Sequence, residues 1–142
     1  MPSAHILIVE DERIIAMALQ DVLKYMGYSV AGVAASGEEA VQKAAETRPD
    51  VVLMDIRLRG EIDGLQAAVE IGSHLDIPVV YLTAYADKFM RKRAEATKPY
   101  GYIVKPFRQA DIRAAVEEAL HRHAAERKLT EAASAPDDAC ES

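Results

Sequence analysis

A chain of 142 residues, half of them hydrophobic and 28% charged, has the composition of one globular domain with room for a core. Its net charge of −6 offers no basic footprint for nucleic acid, and its longest apolar run, Ile77 to Ala86, is too short to span a bilayer. The N-terminus lacks the basic-then-apolar order of a signal peptide, and the single cysteine, Cys140, forms no internal disulfide and fits a reducing cytoplasm.

Ile6-Leu7-Ile8-Val9 predicts a first strand, closed by Glu10-Asp11-Glu12. Ile15, Ala18, Leu19, Val22 and Met26 follow helical spacing, and Gly27 stops that helix. Ser29 to Ala34 predicts strand two. Ser36 with Glu39 three residues on is a capping-box pattern for a second helix, which ends near Arg48 because Pro49 follows. Asp50 to Asp55 predicts strand three. Its core, Val51-Val52-Leu53-Met54, is the continuous apolar run of a strand buried on both faces, and it leads straight into one carboxylate. Arg57 to Asp63 is a polar loop containing Gly60, and Gly64 opens a third helix with Leu65, Ala68 and Val69 on one face. Pro78 to Leu82 predicts strand four, ending at Thr83-Ala84. A charged helix covers roughly Asp87 to Ala96, and Gly101 to Val104 predicts strand five, ending at Lys105-Pro106. The last helix carries Ile112, Ala115, Val116, Ala119 and Leu120 on one stripe and extends toward Leu129. Residues 1–129 form the expected domain. Residues 130–142 read as a disordered acidic tail, where Glu131, Asp137, Asp138 and Glu141 contribute −4 and leave −2 on the body.

Five strands alternating with five helices predict an α/β fold, a doubly wound parallel sheet with helices on both faces. Alternation alone does not set the strand order. In such a sheet the carboxyl ends of the strands share one edge, where ligands bind. A buried strand does not tolerate an unpaired charge, so Asp55 belongs at its strand's end. Glu10 and Asp11 from strand one, Asp55 from strand three, Thr83 from strand four and Lys105 from strand five then meet on that edge. Clustered carboxylates repel and raise one another's pKa, and a hard divalent cation relieves the repulsion. An oxygen-only donor set argues for Mg²⁺ rather than Zn²⁺, and Mg²⁺ with open positions usually serves a phosphate. Lys105 and Thr83 are suited to the phosphoryl oxygens, as point charge and hydroxyl donor. Asp55 is the obvious nucleophile, since carboxylates form aspartyl-phosphate intermediates.

The motifs Ile8-Val9-Glu10-Asp11-Glu12, Leu53-Met54-Asp55-Ile56, Asp63-Gly64, Leu82-Thr83-Ala84 and Tyr102-Ile103-Val104-Lys105-Pro106-Phe107 resemble the receiver domain of two-component response regulators. The resemblance spans about residues 4 to 127. It implies a flavodoxin-like (βα)5 fold with strand order 2-1-3-4-5, in which Asp55 takes a phosphoryl group from a histidine kinase's phosphohistidine. It also implies Mg²⁺ held by Glu10, Asp11, Asp55 and the backbone carbonyl of Arg57. Thr83 and Lys105 would hold the phosphoryl group, Tyr102 would be the switch aromatic, and Lys105-Pro106 is a candidate cis peptide. By the same analogy Arg57 and Tyr85 flank the path of an attacking water, and neither offers a group that orients one. Slow autodephosphorylation is therefore expected, with no other enzymatic activity.

Glu10 stands where many receivers have Asp, the Arg57–Asp63 loop lacks a common proline and is one residue longer than usual, and Lys98-Pro99-Tyr100 replaces small residues. A haloacid dehalogenase-like phosphatase would need a second acid two residues after Asp55, where Arg57 stands. A flavodoxin would need a Ser/Thr/Gly-rich phosphate loop in place of Glu10-Asp11-Glu12, and a pseudo-receiver would lack Asp55 or Lys105. Thirteen residues follow Leu129, too few for an output domain. This predicts a stand-alone cytoplasmic receiver, a phosphate sink or relay, or a fragment of a larger sensor kinase or regulator. Expected partners are a sensor histidine kinase or histidine phosphotransfer protein and a downstream protein, with neither nucleic acid nor membrane. Lys88, Arg91, Lys92, Arg93 and Lys98 form a basic patch, read as a solvated face or as a docking surface for an acidic partner. A twin subunit docked through the fourth helix, fifth strand and fifth helix is the further candidate. His5, His74, His121 and His123 read as surface residues.

Overall fold

The computed structural model describes residues 4–58, 62–84 and 88–141, with Phe89 and residues 131–141 described by their backbone alone. Its strands are β1 (His5–Val9), β2 (Ser29–Ala34), β3 (Val51–Asp55), β4 (Val79–Ala84) and β5 (Gly101–Lys105). The helices are α1 (Arg13–Tyr25), α2 (Gly37–Thr47), α3 (Gly64–Glu70), α4 (Lys88–Glu95) and α5 (Gln109–Glu141), and a π-helical turn, Ile71–Leu75, extends α3. All strand pairings are parallel, in the order β2-β1-β3-β4-β5. That is the flavodoxin-like arrangement the resemblance implied.

Strand side chains alternate between two cores, as a pleated strand requires. Leu7, Val9, Val52, Met54 and Tyr81 pack with Ala40 and Ala44 of α2, Leu65, Ala67 and Ala68 of α3, and Met90 and Ala94 of α4. Ile6, Ile8, Val51, Leu53, Val80 and Leu82 pack with Ala16, Leu19 and Leu23 of α1 and Ile112, Val116 and Ala119 of α5. All five residues of β3 are buried, which follows from its central place with helices on both faces.

Two helical faces are rotated from the expected ones. On α1 the buried residues are Ala16, Leu19 and Leu23, while Ala18 is exposed. On α3 Ala67 is buried and Val69 is 46% exposed. Small alanines face the sheet because they allow close approach, and a hydrophobic count alone favours the larger neighbours. Ser36 caps α2 by accepting from the Glu39 N–H at 3.1 Å, but Glu39 returns its bond to the N–H of Ala35 rather than Ser36. Arg48, in the left-handed region with φ 48°, ends that helix.

The backbone of α5 stays helical to Glu141, across the segment where the sequence predicts a tail. His123 is not a plain surface residue. Its Nε2 lies 3.1 Å from Asp76 Oδ1, and its ring stands edge-on to Tyr100 at 5.8 Å. Tyr100 in turn hydrogen-bonds Glu126, and the Arg122 guanidinium lies over its ring, which fastens α5 to the start of β5.

Candidate functional site

The carboxyl edge of the sheet gathers residues that are up to 95 positions apart in sequence. Glu10 follows directly on β1, and its N–H donates to Ala34 O at 2.9 Å. Asp55 is the last residue of β3 and is buried to 7% exposure, Glu10 to 2%. One oxygen from each of Glu10, Asp11 and Asp55 can be chosen so that all lie within 4.8 Å of one another. Lys105, at the end of β5, reaches across with Nζ 3.0 Å from Glu10 Oε1 and 3.5 Å from Asp55 Oδ2. The remaining acceptors are partly satisfied locally. Glu12 N–H donates to Glu10 Oε2 at 3.2 Å, and Arg57 N–H donates to Asp55 Oδ1 at 3.0 Å.

Electrostatics follow from this packing. Burial pushes the Glu10 carboxyl up to about 7, its bond to Asp55 and that group's charge push the same way, and Lys105 opposes them. Burial alone would pull the Lys105 ammonium down, but the charges of Asp55 and Glu10 outweigh it and hold it above its ordinary value. Three carboxylates facing one ammonium leave a negative pocket built only from oxygens. That donor set suits a hard divalent cation.

The approach of α3 shapes the floor. A Cβ on Gly64 would lie 2.2 Å from the Asp55 carbonyl oxygen and 3.0 Å from that of Ile56, so only glycine lets this helix start against the end of β3. Asp63 and Gln66 lock that start with a reciprocal capping box, both bonds 2.9 Å. The pattern Asp63-Gly64-Leu65-Gln66 was readable as a capping box in the sequence but is easily overlooked beside the glycine. A cavity of about 540 Å³ opens above Asp55, lined by Asp11, Glu12, Arg57, Leu58, Thr83, Ala84 and Lys105 among others.

Thr83 is 3% exposed and lines the cavity, with Oγ1 donating weakly to Ala84 O at 3.3 Å. Arg57 is exposed at the rim. The Lys105–Pro106 peptide is cis. Tyr102 lies outside this set of lining residues, on β5 opposite Tyr81, with ring centroids 6.1 Å apart. Tyr85 falls outside the described residues.

A family model for the response regulator receiver domain matches residues 6–117. The chain belongs to this family. It is 40% identical over 117 residues to the transcriptional regulatory protein PdtaR of Mycobacterium tuberculosis, covering 82% of this chain and 57% of PdtaR. It is 38% identical to the phyllosphere-induced regulator PhyR of Methylorubrum extorquens, covering 83% of this chain and 44% of PhyR. The chemotaxis protein CheY of Thermotoga maritima is 35% identical, and 89% of it is covered by 75% of this chain. Among solved structures, the signal receiver domain of a modulated diguanylate cyclase from Desulfovibrio desulfuricans superposes with a TM-score of 0.81 at 37% identity, over 86% of this chain and 97% of that one. The chain thus spans about half the length of PdtaR and PhyR. Residues 6–117 are therefore a response regulator receiver domain.

Proposed function

We propose that Asp55 is the phosphoryl acceptor and that Glu10, Asp11, Asp55 and the Arg57 carbonyl hold Mg²⁺ beside it. The single observation behind this reading is the three-carboxylate cluster at one sheet edge, with Lys105 bridging Glu10 and Asp55. An Asp55 oxygen attacks phosphorus as the phosphorus–nitrogen bond of a phosphohistidine breaks, and the imidazole leaves with the bonding pair. Mg²⁺ held there would supply positive charge to offset the negative charge on the phosphoryl oxygens. Lys105 and Thr83 then hold the phosphoryl group by an ammonium and a hydroxyl. Tyr102 reports the state of the site to the surface of α4, β5 and α5, where a downstream protein or a second copy docks.

The chemistry ends at self-phosphorylation and its slow reversal by water. Arg57 at the rim offers no base to activate that water, and Tyr85 is assigned a shielding role. The setting is the cytoplasm, a reading supported by the lone cysteine, and the partners are proteins rather than nucleic acid or lipid. Among the described residues no helix is long and apolar enough to cross a membrane. Intact mass after treatment with acetyl phosphate and Mg²⁺ tests the acceptor. Wild-type protein gains about 80 Da, one phosphoryl group. The same gain in Asp55→Asn would refute the assignment.

A further inference from the structure

Among the described residues Tyr81 is the largest fully buried side chain, on a strand whose neighbouring residues Val79, Val80 and Leu82 are aliphatic. A phenol taken out of water needs a hydrogen-bond partner. Here its hydroxyl lies 2.7 Å from Thr97 Oγ1. Thr97 Oγ1 also donates to Ala94 O at 2.7 Å. A hydroxyl carries one hydrogen, so that of Thr97 is committed to Ala94 and Tyr81 is the donor to Thr97. The Thr97 N–H donates to the same carbonyl at 2.9 Å. Together these bonds fasten the C-terminal end of α4 onto the middle of β4.

The ring of Tyr81 has a second role. Its cross-strand neighbour is Tyr102, at 6.1 Å and a 36° tilt. The Arg91 guanidinium of α4 lies 5.0 Å from the centroid of the Tyr102 ring. Thr83 stands two residues after Tyr81, on the same face of β4, and lines the cavity above Asp55. One face of the sheet therefore carries Thr83 at the cavity and, two residues before it, Tyr81, which reaches α4 through Thr97 and Ala94 and, by way of Tyr102, Arg91. Burial pushes the Tyr81 phenol up to about 12, so it keeps its proton and its donor role at working pH.

We propose that Tyr81 is a positioning residue, which couples the state of the Asp55 cavity to the end of α4 through its hydroxyl on Thr97 and its ring against Tyr102. This rests on the phosphorylation reading above. Without the hydroxyl, the end of α4 loses its hydrogen bond to the sheet while Met90 and Ala94 stay packed, and a change at Thr83 and Tyr102 no longer moves residues Ala94 to Lys98 as one unit.

The test uses the full ¹⁵N-labelled chain with beryllofluoride and Mg²⁺ as the phosphoryl mimic. Amide shifts are followed at Thr83 and Lys105 in the cavity, at Ala94 at the end of α4 and at Thr97 and Lys98 just after it. Wild-type protein responds at both places. Tyr81→Phe and Thr97→Val keep the cavity response and lose most of the α4 response, a severalfold reduction, while Thr97→Ser retains it. A full α4 response in both Tyr81→Phe and Thr97→Val overturns the proposal. So does a parallel loss of both responses, since Tyr81 would then support the cavity rather than relay from it. No cavity response in wild-type protein would remove the phosphorylation reading, and this coupling with it.

Discussion

Glu10 carries the most perturbed charge in the site, and its consequences are measurable. Its folded pKa of about 7 lies above the ordinary 4.5, so the folded state holds a proton that the unfolded state has released between those values. The stability from this group is full below pH 4.5 and is lost as pH rises through about 7. Urea unfolding in EDTA between pH 5 and 8 should show that decline in wild-type protein and a flatter one in Glu10→Gln. Equal slopes would show that Glu10 ionises as it does in the unfolded chain. Tyr102 offers a second test. Its hydroxyl is buried with no hydrogen-bond partner among the described residues. Such a group costs about 1–3 kcal/mol. Tyr102→Phe should therefore raise stability by about 1 kcal/mol, read from the urea midpoint at constant m-value. A loss of stability would mean that the hydroxyl has a partner after all. For the proposed lifetime, Arg57→Asn places a water-orienting amide at the cavity rim. Phosphate loss should quicken severalfold, about 1 kcal/mol in barrier, in single-turnover decay.

The junction between β3 and α3 is the least forgiving in the fold. β3 ends at Asp55, and α3 begins nine residues later against the Asp55 carbonyl. The two meet only because Gly64 has no side chain. Gly64→Ala must push the helix or the strand end aside, which costs about 1–3 kcal/mol as overpacking does. The displaced Asp55 should also accept phosphate from acetyl phosphate more slowly. Normal phosphorylation kinetics in a destabilised Gly64→Ala would show that the strain is absorbed by the loop instead. The basic residues of α4 divide by packing rather than by charge. Arg91 is half-buried over Tyr102, Arg93 is exposed with its guanidinium 4.0 Å from Asp63, and Lys88, Lys92 and, just past the helix, Lys98 are exposed.

The proposed Mg²⁺ would link segments that the chain keeps far apart, since the candidate ligands come from the ends of β1 and β3 and the counter-charge from β5. An ion that binds only the folded arrangement stabilises all of it at once. At a hundredfold excess of Mg²⁺ over its Kd the gain is about 2.7 kcal/mol. Thermal unfolding with and without Mg²⁺ should show this shift in wild-type protein and much less of it in Asp11→Asn. An equal shift in both would place the ion elsewhere.

Local pattern determined a great deal by itself. Apolar runs marked every strand, with boundaries within two residues; burial excludes polar residues along most of β1, β3 and β4, while β2 and β5 are only partly buried. The chemistry at those last positions, Glu10-Asp11, Asp55, Thr83 and Lys105, was legible for the same reason: polar residues are tolerated only where strands emerge at the edge. Tertiary structure decided the rest. It turned α1 most deeply onto Ala16, Leu19 and Leu23 and left Ile15, Val22 and Met26 partly buried against the same core, since helix–sheet distance is a property of two elements together. It brought Tyr81 to Thr97 and Asp76 to His123, pairs separated by 16 and 47 residues that no short-range pattern connects. It also buried Glu10 beside Asp55, which raised the Glu10 pKa, and set Lys105 between the two, which opposes that rise. Desolvation and charge proximity act through space, and a linear sequence does not contain the distances on which they depend.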